Sequence, residues 1–187
     1  MVDKYWQDIN TGWNGNIDDF VNSHFAKYHF SGKDKLLKHI ENYEKFRKLP
    51  DNLSTIAEFG AGYGLLAEIM LKRYKDLTYT IIDIEPMITI QKEYLKEYGD
   101  RVRWIETKDF ESLMPLRVDM FIALWSLSEA DENEQDFYDF DDFLCADYIL
   151  IAGQEDSSTH NYIDNFHYIC RHLEKEKESR GNVYYFK

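Results

Sequence analysis

The sequence predicts a three-layer α/β fold around a mostly parallel sheet, and three observations predict it. Short apolar runs recur between residues 54 and 153, amphipathic segments of helical period separate them, and a glycine-rich turn leaves the first run to enter the first helix. Runs spaced by helices in this way describe parallel strands joined by right-handed crossovers. At 187 residues and 44% apolar composition, the chain can build one compact domain with a real core, or a domain plus a small appendage.

The elements follow in order. Residues 1–50 are expected to form a helical cap or lid, because Leu36, Leu37, Ile40, Tyr43, Phe46 and Leu49 recur near a 3.6 period and Pro50-Asp51-Asn52 closes the region as a turn. Residues 51–187 are expected to hold the sheet. Its strands are predicted at 54–59 (STIAEF), 77–83 (LTYTIID), 101–106 (RVRWIE), 118–124 (VDMFIAL) and 147–153 (DYILIAG). The segments GLLAEIMLKRYK and PMITIQKEYLKEY supply helices between the first three, and Phe137, Phe140, Phe143 and Leu144 recur at helical spacing before the fifth. Beyond it, HNYIDNFHYICRHLEKEKES reads as a helix and NVYYF as a single last strand. A sheet that ends there has an open edge, which makes a homodimer an expectation.

Composition removes several classes of function. Lys and Arg number 22 against 35 acids, a formal charge of −13, and such a surface repels phosphate backbones. Nucleic acid is therefore not an expected partner. The polar start MVDKYWQDIN and the lack of a run near the ~20 apolar residues that cross a bilayer point away from a membrane and toward a soluble, cytoplasmic protein. Cys145 and Cys170 lie far apart, so neither a disulfide scaffold nor a zinc site is signalled.

The turn IAEFGAGYG has the spacing G-x-G-x-G at Gly60, Gly62 and Gly64, whereas dinucleotide sites use G-x-G-x-x-G. Leu65 and Leu66 follow, so the Lys-Ser/Thr pair of a nucleoside-triphosphate loop is missing. Glu58 at the strand end repels phosphate and attracts a ligand's ammonium group. Asp83 closes the second strand, roughly 20 residues on, where an acid accepts hydrogen bonds from a ribose diol. Together these residues expect a ribose and a cationic amino group without phosphate. Plainer readings stand beside this one: the glycines could make only a tight turn, and Asp83 or Asp109 could each cap a helix.

The ordered set EFGAGYG, IIDIEP and Lys108-Asp109-Phe110 resembles class I S-adenosylmethionine-dependent methyltransferases over roughly Ser54 to Gly153. The resemblance implies a Rossmann-like sheet with S-adenosylmethionine as cofactor and S-adenosylhomocysteine as product. It assigns Glu58, Phe59 and the loop Gly60, Ala61, Gly62 and Gly64 to the methionine end, Asp83 to the ribose, and Ile84, Asp109 and Phe110 to the adenine. Leu124 and Trp125, in ALWSLSE, would lie beside the sulfonium. EFGAGYG with DIEPMITIQKEYL and LWSLSE looks most like bacterial sugar O-methyltransferases, which implies a small acceptor carrying a hydroxyl. Against the family's usual terminal hairpin, the C-terminal strands are expected to be reduced.

Methyl transfer is an in-line displacement that benefits from alignment and, for a hydroxyl acceptor, from a general base. Glu129 is the candidate base, with Ser126 or Ser128 assisting; Ser128 and Glu129 would equally open a helix. The amino-terminal aromatics Tyr5, Trp6, Trp13, Phe20, Phe25, Tyr28 and Phe30 suit an acceptor pocket or a cap's own core. The acidic run Asp131 to Asp142 lacks the glycine and terminal glutamate of a calcium loop, so no metal is expected. Three other functions remain open on sequence alone: an N- or O-methyltransferase of an unrelated small molecule, a non-catalytic cofactor-binding module, and a nicotinamide oxidoreductase.

Overall fold

The computed structural model describes residues 40, 41, 44, 49–109, 115–129, 144–154, 170–177 and 182–187. The chain divides into two units, Met1–Arg47 and Lys48–Lys187. In the first, Ile40, Glu41 and Glu44 are helical. The amino-terminal aromatics, the acidic run 131–142 and Phe110 lie outside the described residues.

The second unit holds strands β1 (Thr55–Phe59), β2 (Thr78–Asp83), β3 (Val102–Glu106), β4 (Leu116–Leu124), β5 (Leu144–Gln154), β6 (Glu174–Lys177) and β7 (Asn182–Phe186). They form one sheet in the order β3-β2-β1-β4-β5-β7-β6. All pairings are parallel except those of β7, which runs antiparallel to both β5 and β6. Helix α1 (Leu65–Arg73) joins β1 to β2, and α2 (Glu85–Tyr94) with a 3₁₀ segment (Lys96–Arg101) joins β2 to β3. Both connections step outward in the same direction, so right-handed crossovers place both helices on one face of the sheet. A four-residue helix, α3 (Ser126–Glu129), follows β4.

Two expectations are corrected. Glu174 to Lys177 is a strand, where the sequence suggested the end of a helix, so the C-terminal strands are not reduced: a β6–β7 hairpin completes the sheet. The β7 edge that motivated the homodimer is therefore covered. Leu144 opens β5 instead of lying in the helix before it, because β5 extends along β4 from the pair Leu116 and Leu144.

Side chains alternate between faces along each strand. Ala57, Phe59, Ile82, Phe121, Ala123, Ile149 and Ile151 join Leu127, Cys170 and Tyr185 in one apolar cluster. On the opposite face Glu58 sits in register with Ile81 and Ile122, and Tyr79 lies one pleat before Ile81. Two polar devices fix the frame. Asp119 Oδ2 accepts the N–H groups of Ser54 (2.7 Å) and Thr55 (2.9 Å) while Thr55 Oγ1 accepts the N–H of Asp119 (2.9 Å), clamping the start of β1 to β4. The Arg101 guanidinium donates to the carbonyls of Leu71 (3.0 Å), Tyr74 (2.6 Å) and Leu77 (3.2 Å), where α1 runs out of partners of its own.

Candidate functional site

The turn after β1 lies where the strand order reverses between β1 and β4, the place where open α/β sheets bind ligands. Gly60, Gly62 and Gly64 all have positive φ (70°, 57° and 87°), a region that residues with a Cβ enter only under strain. The three glycines answer different demands. A Cβ on Gly60 would stand 2.2 Å from the Cβ of Ser126, and one on Gly64 would stand 2.8 Å from Leu95 Cδ1. Protein packing explains both. A Cβ on Gly62 meets no atom of the described residues within 4 Å, so this glycine alone opens outward from the turn.

Beneath the turn lie two buried carboxyl groups. Asp83 is 5% exposed; its Oδ1 accepts the Ile84 N–H (2.9 Å), its Oδ2 accepts Gln91 Nε2 (2.7 Å), and the N–H groups of Ala61 and Gly62 add weaker support. Burial pushes its carboxyl up to about 6 against the pull of these donors. Glu58 is 2% exposed and its Oε2 accepts the Tyr79 hydroxyl (2.8 Å). Burial pushes it up to about 8; the Tyr79 bond lowers it and the nearby Asp83 charge raises it further. Tyr79 is held well above its ordinary value by burial and by Glu58, so it remains the donor.

The other sequence-derived candidates divide. Ile84 is half-buried at the amino end of α2, and Asp109 is exposed beyond β3. Phe59 is not at the surface of the turn: its side chain is 5% exposed in the apolar cluster, and its carbonyl accepts the Ser126 hydroxyl. Ser126 is thereby engaged in holding the glycine turn. Leu124 and Trp125 are half-buried at the carboxyl end of β4. Trp125 has φ 66°, a left-handed conformation that is a genuine outlier for a bulky residue, and its N–H donates to Ala152 O (2.7 Å) on β5. Strain of this kind concentrates at functional sites. Glu129 ends α3; its side chain, like that of Ser128, lies outside the described residues, as does Phe110.

Gln91 is the site residue that sequence reasoning missed. It is fully buried on α2 and its Nε2 bridges Asp83 Oδ2 and the Gly62 carbonyl (2.8 Å). The signal was present: an amide stands on the apolar stripe of α2 between Met87 and Leu95, both buried.

The residues fit an S-adenosyl nucleoside, since a turn that opens at Gly62, a strand-end acid and a half-buried apolar residue after it stand together. The comparisons agree. Residues 39–124 match the family described as "Putative S-adenosyl-L-methionine-dependent methyltransferase". Among solved structures, a protein from Pyrococcus horikoshii OT3 (PH0226) superposes with TM-score 0.61 at 13% identity over 82% of this chain and 89% of its own. The mitomycin 7-O-methyltransferase MmcR gives 0.60 at 14% identity, over 98% of this chain and 60% of its own. The 16S rRNA methylase ArmA gives 0.56 at 18% identity, over 98% and 95%. This chain spans between 52% and 61% of the length of several of the structures it resembles. A search of curated proteins found no match. Strand order, glycine turn and family match coincide on one stretch of chain, which has the fold of the class I methyltransferases and takes S-adenosylmethionine as its cofactor.

Proposed function

We propose that this protein transfers the methyl group of S-adenosylmethionine to a hydroxyl of a small acceptor, with sugars as the first class to test. The observation that carries the reading is the pairing of an open glycine, Gly62, with a buried strand-end acid, Asp83, at the switch point of the sheet. Bound S-adenosylmethionine supplies an electrophilic methyl group on a sulfonium sulfur. The backbone from Gly60 to Gly64 and Glu58 hold its amino-acid end, Asp83 accepts from the ribose hydroxyls, and Ile84, Asp109 and Phe110 border the adenine. A cation beside Glu58 favours its ionised form, so cofactor affinity increases as pH rises toward 8. Leu124 and Trp125 would border the methyl end of the cofactor, and Glu129 would take the proton of the acceptor hydroxyl.

The sugar assignment rests on the resemblance of DIEPMITIQKEYL and LWSLSE to sugar O-methyltransferases. ArmA acts on rRNA with a related fold, but a formal charge of −13 opposes a polyanionic acceptor here. The complete β6–β7 hairpin removes the truncated sheet that favoured a non-catalytic module. Free thiols at Cys145 and Cys170 suit a reducing, cytoplasmic compartment.

Calorimetric titration with S-adenosylmethionine, S-adenosylhomocysteine and NAD tests the cofactor, and turnover over a panel of sugars and phenols tests the acceptor. Binding of the first two without NAD, followed by methylation of a sugar hydroxyl, is the expected result. Preferential NAD binding would overturn the reading. Glu129→Gln should lower turnover by about 10²-fold or more with cofactor affinity unchanged; full turnover in that variant removes Glu129 as the base.

A further inference from the structure

Gln91 joins three parts of the site that lie far apart in sequence. It is carried by α2, is fully buried, and donates from one nitrogen to the Gly62 carbonyl (2.8 Å) in the turn after β1 and to Asp83 Oδ2 (2.7 Å) at the end of β2. Its Oε1 is buried without a donor among the described residues. A methionine or leucine would fill the same position on the apolar stripe of α2 without stranding a carbonyl, and a stranded buried acceptor is destabilising. Packing therefore does not account for an amide here. What the amide adds is its two N–H groups, and both are directed at the glycine turn and the acid.

A carboxylate on a strand end can rotate about two side-chain bonds, and each alternative rotamer points its lone pairs elsewhere. Asp83 Oδ1 accepts the Ile84 N–H, Oδ2 accepts Gln91, and the N–H groups of Ala61 and Gly62 support the same carboxyl, so the carboxylate is held by three backbone donors and by the Gln91 side chain. The same amide ties the turn to the acid, so displacement of one displaces the other. We propose that Gln91 is a positioning residue for ribose recognition, which holds the Asp83 carboxylate and the glycine turn in one rigid arrangement facing the two ribose hydroxyls. The inference rests on the reading of Asp83 as the ribose acceptor.

The test is a cycle of ligands and variants read by calorimetry on the full chain. S-adenosylhomocysteine and its 2′-deoxyribose analogue are titrated into wild type, Gln91→Met and Gln91→Glu. Wild type should prefer the hydroxylated ligand by about tenfold or more, the range of a charge-assisted hydrogen bond. Gln91→Met, close in volume but without donors, should lower that ratio several-fold, while the Ile84, Ala61 and Gly62 N–H groups still hold part of the carboxylate. Equal weakening of both ligands, with the ratio kept, would make Gln91 merely structural and overturn the proposal; so would unchanged affinities. Gln91→Glu decides the matter if the methionine variant does not fold. Its ratio should be low at pH 8, where a carboxylate in place of the amide has no proton to donate to Asp83. A wild-type-like ratio at that pH would overturn the proposal. A wild-type ratio near one would make Asp83 only a clasp for the turn and end the proposal, with cofactor binding intact. No binding of either ligand by wild type would instead overturn the cofactor reading itself.

Discussion

At Gly60 the demand for glycine comes from a neighbouring side chain, at Gly62 from an open mouth, and the two substitutions should separate accordingly. Gly60→Ala drives a Cβ into Ser126 at 2.2 Å and adds positive-φ strain, so it should lower the melting temperature sharply, by the equivalent of about 3 kcal/mol or more. Gly62→Ala meets only the strain, about 1 kcal/mol, yet should weaken S-adenosylhomocysteine binding at least about tenfold by narrowing the mouth. Thermal unfolding and calorimetry on the same two variants check both. The buried acids give a second prediction. Glu58 ordinarily titrates near 4.5 and is raised to about 8 in the fold, and Asp83 is raised to about 6 from 3.8. Between these values the native state binds more protons than the unfolded chain, so stability contributed by both groups is full at low pH and is lost as pH rises through 6 and 8. The melting temperature of the ligand-free protein should fall from pH 5 to pH 9, and Glu58→Gln, which still accepts from Tyr79, should flatten the fall. An equally steep curve in that variant would clear Glu58 of responsibility.

Elements whose strands are buried on both faces were legible in the sequence because burial forces continuous apolar runs: STIAEF, LTYTIID and VDMFIAL became β1, β2 and the core of β4 with ends shifted by at most two residues. β6 was not legible. Its residues Glu174, Lys175, Glu176 and Lys177 have no apolar pattern, and a strand on the sheet's outer edge is specified by pairing to β7 and not by its own side chains. The candidate site divides on the same line. Gly62 and Asp83 could be recognised from spacing, whereas the engagement of Ser126 with Phe59 and of Gln91 with Asp83 depends on neighbours set by tertiary packing. Arg101 belongs with these. A single arginine in a polar stretch carries no sequence signal, yet its guanidinium serves three carbonyls at the end of α1 and the start of β2. Arg101→Met keeps the aliphatic stem and takes that donor away from all three carbonyls, leaving Tyr74 O with the long Leu77 N–H bond (3.4 Å), so it should cost about 2–3 kcal/mol in urea unfolding, with cofactor affinity changed little. A loss of a few tenths of a kcal/mol would show that water replaces the guanidinium there.

For the molecule as a whole, the outer edge of the sheet governs association. A bare β7 would present Tyr184, Tyr185 and Phe186 beside an unpaired row of backbone groups, a template for pairing with another chain. β6 takes those hydrogen bonds and replaces the edge with a strand of alternating acid and base, whose Glu174, Lys175 and Glu176 are exposed. Lys175 also lies over the Tyr185 ring at 5.7 Å, so its charge covers part of the aromatic row that it shields. A second copy that paired there would desolvate these charges, and a formal charge of −13 adds repulsion between copies at long range. The edge thus acts against the sheet-to-sheet dimer that a shorter fold would invite. Replacing Glu174, Lys175 and Glu176 together by valine or threonine removes the charges and raises strand propensity. Sedimentation at increasing concentration should then show that variant associating while the wild-type chain does not associate through this edge. If the variant remains as dispersed as wild type in both low and high salt, the edge charges are not what keeps copies apart, and the protection must come from the twist and shortness of β6 itself.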